Sequence, residues 1–221
     1  MQRSFDIIFS SIALVLLSPF FLLLMLILRV TGEGEIFFRQ NRVGLGGKYF
    51  KLLKFATMLK DSPNIGTGTL TVKDDPRVLA IGRILRKTKI NELPQLINIF
   101  NGDMSIIGPR PQTKRCFNAF PPSSQNEIIK VRPGLSGIGS IIFRDEENMM
   151  YANNNPDKFY NEIVMPYKGS LEDWYVSHQN IASYFSLISL TILVVLGFGS
   201  DLVWKLFKDL PPPPEELKLW I

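Results

Sequence analysis

A long apolar run near the N-terminus restricts this chain to folds that associate with a membrane. From Phe5 to Leu28 nearly every side chain is hydrocarbon, with few polar interruptions. About 20 apolar residues are enough for a helix to cross a bilayer. The run is too long for a cleaved signal peptide, and no small-residue cleavage site follows it. We therefore expect residues 1–31 to form a membrane segment.

The dipeptide Ser18-Pro19 divides this run and predicts a break in the helix. Proline removes a backbone donor and clashes with the carbonyl four residues earlier, whereas Ser18 can satisfy part of the freed backbone. Arg3 precedes the run, and six cations follow it: Arg29, Arg39, Arg42, Lys48, Lys51 and Lys54. Because basic flanks stay on the cytoplasmic side, both ends are drawn to one face. The sequence thus predicts a re-entrant hairpin, with a straight single span as the alternative.

The composition leaves room for one or two domains and favours anionic partners. The chain has 221 residues and a formal net charge of +5, which suits nucleic acid, acidic lipid headgroups or phosphorylated small molecules. Nucleic acid is disfavoured because the basic residues lack interleaved aromatic side chains. A single cysteine, Cys116, excludes an internal disulfide, and a single histidine, His178, excludes a Ser/His/Asp triad. No oligomeric state follows from the sequence.

Local patterns predict short strands and helices after the membrane segment. Residues 35–55 alternate around a glycine turn, as in a hairpin, and residues 58–75 are polar and glycine-bearing, as in a loop. We expect one helix from Pro76 to about Lys87, because proline suits the first helical turn. A second helix should begin near Asn91, a favoured N-cap, and end at Asn101-Gly102.

The last third of the chain carries weaker signals. Residues 138–143 are strand-like, and residues 181–199 are apolar but interrupted by Ser, Thr and Gly, which favours a helix lying in the membrane interface. Four consecutive prolines in 201–221 predict an extended, polyproline-like tail. The predicted domains are therefore a membrane segment (1–31), a cytoplasmic domain (32–200) with the interfacial helix, and the tail.

A group of cations followed by a carboxylate is the strongest chemical signal. Displacement at a diphosphate depends mainly on positioning and charge neutralisation. Suitable cations are Arg86, Lys87, Lys89, Arg110 and Arg132. Glu92 and Asp103 can hold Mg²⁺ through oxygen atoms. Two plainer interpretations remain open: Glu92 complements a helix dipole, and Asp103 belongs to a capped turn. Likewise, Lys54 either takes part in the site or meets lipid headgroups.

Four motifs in order resemble one known family. They are 91–96 (Asn-Glu-Leu-Pro-Gln-Leu), 102–105 (Gly-Asp-Met-Ser), 108–111 (Gly-Pro-Arg-Pro) and 131–134 (Val-Arg-Pro-Gly), after an apolar segment interrupted by Ser-Pro. Each motif alone is weak, but the ordered set closely resembles the bacterial sugar transferases, the monotopic polyprenyl-phosphate phosphoglycosyl transferases. The likeness covers roughly residues 3 to 196.

The resemblance implies an enzyme of the bacterial inner membrane that starts glycan assembly. Such enzymes transfer a sugar-1-phosphate from a UDP-sugar to polyprenyl (undecaprenyl) phosphate with Mg²⁺ and release UMP. The implied fold is α+β, with a re-entrant helical hairpin and a small helix-rich catalytic domain facing the cytoplasm. The sugar is not indicated, and the specificity-setting region is expected in the stretch 140–168.

The resemblance also implies roles for individual residues. Asn91 and Glu92 occupy the place of an Asp-Glu pair whose aspartate is the proposed nucleophile, forming an acyl-phosphate. Arg86 matches an arginine near the phosphates, and Arg110 lies in the Pro-Arg-Pro motif that contacts the nucleotide. Arg144 matches another substrate-side arginine. Substrate-binding candidates are thus Arg86, Arg110, Arg132, Arg144 and Lys54, and the metal candidates are Glu92 and Asp103.

Two departures from the family pattern leave the mechanism open. Ala56 stands where the family often has a second basic residue, and Asn91 is a neutral amide, which cannot attack phosphorus usefully. Three accounts remain: Glu92 is itself the nucleophile or a metal ligand, it supports direct displacement without a covalent intermediate, or the chain is inactive. The alternative function is a non-catalytic, membrane-anchored scaffold or regulator that binds nucleotide sugar or lipid phosphate.

Overall fold

The fold combines many helices with two small sheets. A computed structural model of the chain describes residues 1–64, 75–144, 146–151 and 155–221. The α-helices are α1 (Gln2–Val30), α2 (Ala80–Lys87), α3 (Gln95–Asn101), α4 (Lys114–Asn118), α5 (Pro122–Ile128), α6 (Ile138–Ile142), α7 (Glu146–Tyr151), α8 (Pro156–Phe159), α9 (Met165–Ser177), α10 (Ile181–Val195) and α11 (Leu202–Leu206). The strands are β1 (Phe37–Val43), β2 (Tyr49–Phe55), β3 (Ser105–Ile107) and β4 (Gly134–Ser136). This mixture of helix and sheet agrees with the predicted α+β class.

The chain forms two compact units. The first contains residues 1–6, 42–50 and 102–221, and the second contains residues 7–41 and 51–101. Strands β1 and β2 pair as the predicted hairpin, and β3 pairs with β4 in parallel. The predicted loop at 58–75 extends into residues 65–74, which lie outside the described residues. The predicted domain boundaries at residues 31 and 200 stay predictions.

Helix α1 contains Pro19 in its interior, and the predicted bend at Ser18-Pro19 stays a prediction. The hydroxyl of Ser18 donates to the carbonyl oxygen of Val15 at 2.8 Å. That carbonyl is the one that proline, lacking an N–H, cannot bond, so the predicted role of Ser18 is confirmed. Val15 and Leu16 are 72% and 74% exposed. Among the described helices, α1 alone is long and apolar enough to cross a membrane, and it could serve as an anchor.

The first turn of α1 is fixed by a buried carboxylate. Asp6 is almost fully buried, and its Oδ1 accepts hydrogen bonds from Ser105 Oγ at 3.0 Å, the Ile106 N–H at 2.9 Å and the Tyr184 hydroxyl at 2.9 Å. These bonds compensate for removing the charge from water. Within the first unit, the start of α1 is therefore bonded to β3 and to α10.

The C-terminal half of α1 belongs to the core of the second unit. Phe21, Leu24 and Leu28 are buried. The ring of Phe21 meets that of Phe55, at the end of β2, edge to face with centroids 5.5 Å apart. Aromatic pairs favour this geometry, which adds to the stabilisation from burial.

The two helices predicted in the second unit begin later than expected. The Leu79 N–H donates to the Thr57 carbonyl, and α2 starts at Ala80 instead of Pro76. Asn91 is not an N-cap, because it lies inside a 3₁₀ turn, and α3 starts at Gln95. In both places hydrogen bonds to nearby backbone replace the expected first helical turn. The predicted end of α3 is confirmed by Gly102, whose φ of 93° stops the helix.

One prediction for the first unit is wrong, and another, the extended conformation of the prolines, agrees with the structure. Residues 138–143 mostly form a helix, α6, not a strand, and its apolar side chains Ile138, Ile141 and Ile142 are buried at helical spacing. A short apolar run does not distinguish the two structures. The prolines 211–214 lie outside regular structure, but the tail is packed, since Leu217 is fully buried and Tyr167 donates to the Pro211 carbonyl at 2.8 Å.

Replacing Gly134 by alanine is expected to destabilise the first unit strongly. A Cβ atom at this position would lie 2.1 Å from the Gly108 backbone nitrogen, so β3 and β4 would have to separate. We expect a loss of about 3 kcal/mol in the free energy of unfolding, measured by denaturation of the detergent-solubilised protein. Gly199→Ala is the control, because its Cβ would meet only the end of the Asp201 side chain. Equal stability of the two variants would contradict this packing.

Candidate active site

The second unit brings Glu92 and Lys54 together. Lys54 Nζ lies 2.8 Å from Glu92 Oε1, and the two side chains are 20% and 13% exposed. A charge-assisted hydrogen bond in a partly buried position is screened less by salt than an exposed pair. The structure therefore places Lys54 against Glu92, and its role in the site stays a prediction.

Asn98 fixes the relative position of the elements that carry this pair. Its Oδ1 accepts from the Leu53 N–H and its Nδ2 donates to the Lys51 carbonyl, both at 2.9 Å. One side chain of α3 thereby bonds to β2 on either side of Leu52. Asn98 was not among the residues predicted from the sequence. Its signal was a polar side chain within the apolar run 96–99 of a helix.

Asn91 contributes an oxygen with no partner. The residue is 7% exposed, and its Oδ1 is buried without a hydrogen bond among the described residues. Buried polar atoms in native proteins are normally paired, so an unpaired acceptor in the residue before Glu92 calls for an explanation, such as a bound water or ion. This observation supports a functional interpretation of the Asn91-Glu92 dipeptide over a structural one.

The predicted magnesium ion fits the donors that the second unit offers. Mg²⁺ prefers oxygen ligands and is usually held by one or two carboxylates, with water and substrate phosphates completing the shell. Glu92 supplies a carboxylate and Asn91 an amide oxygen. Within the described ranges there is no group of three His, Cys, Asp or Glu side chains that could hold a metal by themselves. Asp103 lies in the first unit, so its share in a common metal site stays a prediction.

The predicted cations of the second unit lie in the last turn of α2 and just after it. Arg86 is partly buried, and its Nη1 lies 3.7 Å from the sulfur of Met58. Lys87 and Lys89 are exposed, and Lys89 has a φ of 58°, a left-handed conformation that is uncommon outside glycine. Helix α2 packs against the turn 90–92 that carries Glu92. Arg86 and Glu92 thus lie on two elements in contact.

The first unit holds the Pro-Arg-Pro loop in a fixed shape. This loop follows β3, and its Pro109 is hydrogen-bonded to Gly134 at the start of β4. The Pro109 carbonyl accepts from the Gly134 N–H at 2.8 Å, and the Pro111 carbonyl accepts from Arg42 Nη1 at 3.1 Å. Arg110 between them is partly buried. Two of the sequence motifs are therefore joined in one structure around Arg110.

Two further predicted arginines bond to backbone carbonyls in the first unit. Arg132 Nε donates to the Gly102 carbonyl at 2.8 Å, beside Asp103, and Arg144 donates to the Val194 carbonyl at the end of α10. Asp103 is partly buried and Arg144 is exposed. These bonds give both arginines a structural role, and their part in substrate binding stays a prediction.

Glu172 on α9 is an ionisable residue that the sequence analysis did not single out. Burial raises the pKa of its carboxyl to about 8, although the charge of Lys168 and the backbone N–H of Arg110 act in the opposite direction. No local pattern marks it, because residues 165–177 show no clear polar and apolar faces. Its importance emerges only from contacts with residues distant in sequence.

The raised pKa of Glu172 predicts that stability falls as the pH rises. An ordinary glutamate titrates near 4.5, so between pH 4.5 and about 8 the folded chain binds a proton that the unfolded chain has lost. The free energy of unfolding therefore decreases across this window, by at most about 1.4 kcal/mol per pH unit for one group. Glu172→Gln, which stays neutral, should gain thermal stability over the wild type as the pH is raised from 5.5 to 8.5. A constant difference across this range would contradict the prediction.

Comparisons with known proteins agree with the motifs. The model of the bacterial sugar transferase family matches residues 1–198. The exopolysaccharide production protein ExoY of Sinorhizobium fredii is 37% identical over 159 residues, covering 66% of this chain and 70% of that protein. The UDP-glucose:undecaprenyl-phosphate glucose-1-phosphate transferase of Escherichia coli is 36% identical over 143 residues, covering 64% of this chain and 31% of that protein. A UDP-N-acetylgalactosamine-undecaprenyl-phosphate N-acetylgalactosaminephosphotransferase of Aeromonas hydrophila is also 36% identical over 143 residues, with 34% of its length covered.

The chain belongs to the bacterial sugar transferase family. The matched range contains all four motifs and every predicted site residue, whereas residues 199–221 lie beyond it. The predicted family and the predicted transferase class are therefore confirmed. The roles assigned to single residues stay predictions.

Proposed function

We propose that the protein transfers a sugar-1-phosphate from a UDP-sugar to undecaprenyl phosphate and releases UMP. The observation that carries this proposal is the Glu92–Lys54 pair next to Asn91, whose Oδ1 has no hydrogen bond among the described residues, in a family with relatives named for this transfer. The specificity-setting stretch 140–168 includes residues 145 and 152–154, which lie outside the described residues. The sugar is therefore left to experiment.

The proposed mechanism relies on charge neutralisation. The bond between the sugar-side phosphorus and the bridging oxygen of the UDP-sugar breaks, and that oxygen leaves with UMP and takes the electron pair of the bond. A new phosphorus–oxygen bond forms at the sugar-side phosphorus. In the second unit Arg86 offsets negative charge of the diphosphate, and Lys54 holds the Glu92 carboxylate in place. For the first unit we propose only what the family resemblance implies, namely that Arg110 binds the nucleotide. Bound Mg²⁺, held by Glu92 and Asn91, would neutralise phosphate oxygens.

The first two accounts of this site differ in the oxygen that attacks phosphorus, which is either a carboxylate oxygen of Glu92 or an oxygen of the lipid phosphate. If Glu92 attacks, an acyl-phosphate forms on the protein before the lipid phosphate arrives; otherwise the lipid phosphate attacks directly. Incubation with UDP-sugar labelled in the phosphate next to the sugar, without lipid, separates the two. We expect label on the wild-type protein if Glu92 is the nucleophile, and none on Glu92→Gln.

A UMP-release assay tests the function itself. Purified protein is supplied with undecaprenyl phosphate, Mg²⁺ and a panel of UDP-sugars, and lipid-linked sugar phosphate is measured alongside UMP. Release with one of the sugars supports the proposal. Binding of nucleotide sugar without UMP release across the panel would favour the scaffold that the amide at position 91 suggests.

We also propose that α1 enters and leaves the membrane by its cytoplasmic face. Two observations support this. The first turn is bonded within the first unit through Asp6, and the second half is packed within the second unit through Phe21 and Leu28. No described helix after α1 is long enough to carry the chain across a bilayer. The two ends of α1 would then stay at one face of the membrane, and the exposed apolar side chains of the helix would meet lipid.

Labelling of single cysteines in spheroplasts tests this path. On a Cys116→Ser background, Ser4→Cys and Lys48→Cys place thiols at exposed positions before and after the apolar run. We expect neither to react with an impermeant maleimide until the membrane is opened. Reaction of Ser4→Cys in closed spheroplasts would establish the straight span instead.

A further inference from the structure

A buried carboxyl group, that of Glu172, lies next to the Pro-Arg-Pro loop of the first unit, and the proposed reaction does not use it. Glu172 is 3% exposed, and its Oε2 has no hydrogen-bond partner in the part of the chain that the structure describes. A carboxyl group buried in this way is costly unless other contacts compensate. The residues around Glu172 therefore indicate the role of its carboxyl group.

The Pro-Arg-Pro loop has a single backbone N–H to offer. Pro109 and Pro111 lack this donor, so it comes from Arg110 alone. The Arg110 N–H donates to the carboxylate of Glu172. Because the two proline carbonyls are already bonded to other residues, this contact completes the fixing of the loop backbone.

The surroundings leave the Glu172 carboxylate room to reach the loop. A Cβ atom on Gly139 would lie 2.4 Å from Glu172 Oε1, so any side chain at this position would push the carboxyl group aside. Lys168, one turn earlier on α9, bonds instead to both carboxylate oxygens of Glu146 at 2.8 Å. The nearby ammonium group is thus engaged elsewhere, and Glu172 keeps its contact with the Arg110 backbone.

We propose that Glu172 is a positioning residue for Arg110, holding the loop so that the guanidinium meets the diphosphate of the nucleotide sugar. This inference rests on the proposed function, in which Arg110 binds the nucleotide. A planar guanidinium pairs with phosphate in a narrow range of geometries, so a shifted loop loses affinity even with the arginine present.

Binding of UDP by the full-length protein in detergent tests the inference without requiring turnover. We expect Glu172→Ala to raise the Kd about tenfold, which corresponds to one well-placed contact. Glu172→Gln keeps an acceptor oxygen and should change the Kd by less than about threefold. Asp173→Asn, the neighbour that faces Ser124 instead, is the control and should bind as the wild type does.

A double variant distinguishes positioning from general loss of structure. If Glu172 acts through Arg110, then Arg110→Ala with Glu172→Ala should bind no more weakly than Arg110→Ala alone. Additive losses would overturn the inference. Gly139→Ala, which displaces the carboxylate without removing it, gives a second route should Glu172→Ala not fold, and unchanged UDP affinity in that variant would also overturn it.

The outcome for Arg110 separates this inference from the proposed function. If Arg110→Ala weakens UDP binding and the Glu172 and Gly139 variants do not, the positioning role is wrong and the function stands. If Arg110→Ala leaves UDP binding unchanged, the assignment of Arg110 to the nucleotide is wrong, and the inference that depends on it is overturned.

Discussion

Glu92→Gln is expected to reduce turnover by about a thousandfold or more, the range seen when an essential catalytic group is removed. Glutamine keeps the shape of the side chain and an acceptor oxygen for Lys54. A loss of turnover would therefore be due to the missing negative charge. The measurement is the rate of lipid-linked sugar phosphate formation at saturating substrates, with the amount of protein in the membrane fraction unchanged.

Glu127→Gln provides the matched control for this variant. Glu127 is also paired with a lysine, Lys130 at 2.5 Å, but at an exposed position in the first unit. We expect its activity to equal that of the wild type. If Glu92→Gln is as active as the wild type, the Glu92 carboxylate does no more than complement a helix dipole, and the active site lies elsewhere.

Lys54→Met should lower turnover by about a hundredfold, because a partly buried carboxylate would lose its charged partner at 2.8 Å. Methionine preserves the volume and apolar stem of lysine, so packing on β2 is kept. Lys54→Arg should recover part of the loss, since it restores the charge with a different geometry. Lys130→Met, at the exposed pair, is the control and should have no effect on activity. A lipid-contact role for Lys54 would instead lower membrane association and leave the activity of the bound fraction unchanged.

The features that the sequence predicted well are those with a local cause. The apolar run, the bond of Ser18 to the backbone freed by Pro19, the hairpin 35–55 and the glycine stop at Gly102 depend on neighbouring residues alone. The family likewise followed from motifs that are contiguous in the chain. These are the parts in which propensity and final structure agree.

The features that the sequence predicted poorly depend on contacts between residues that are distant in the chain. Asn91 has the preference of an N-cap, but the left-handed turn at Lys89 and the packing of α2 place it inside a 3₁₀ turn. The strand-like residues 138–143 mostly form a helix because their buried face meets other helices. Asn98 and Glu172 were missed since their partners are distant in sequence, as with Asn98 and the Leu53 N–H, which lie 45 residues apart.

The bonds between Asp6 and β3 mean that the anchor cannot be cut away without damage. Deletion of residues 1–30 would leave the Ile106 N–H and the hydroxyls of Ser105 and Tyr184 without the acceptor that they share. The strand that leads into the Pro-Arg-Pro loop would lose its support together with the lipid attachment. Water-soluble versions are better sought by redesigning the outward apolar side chains of α1, such as Val15 and Leu16, than by deletion.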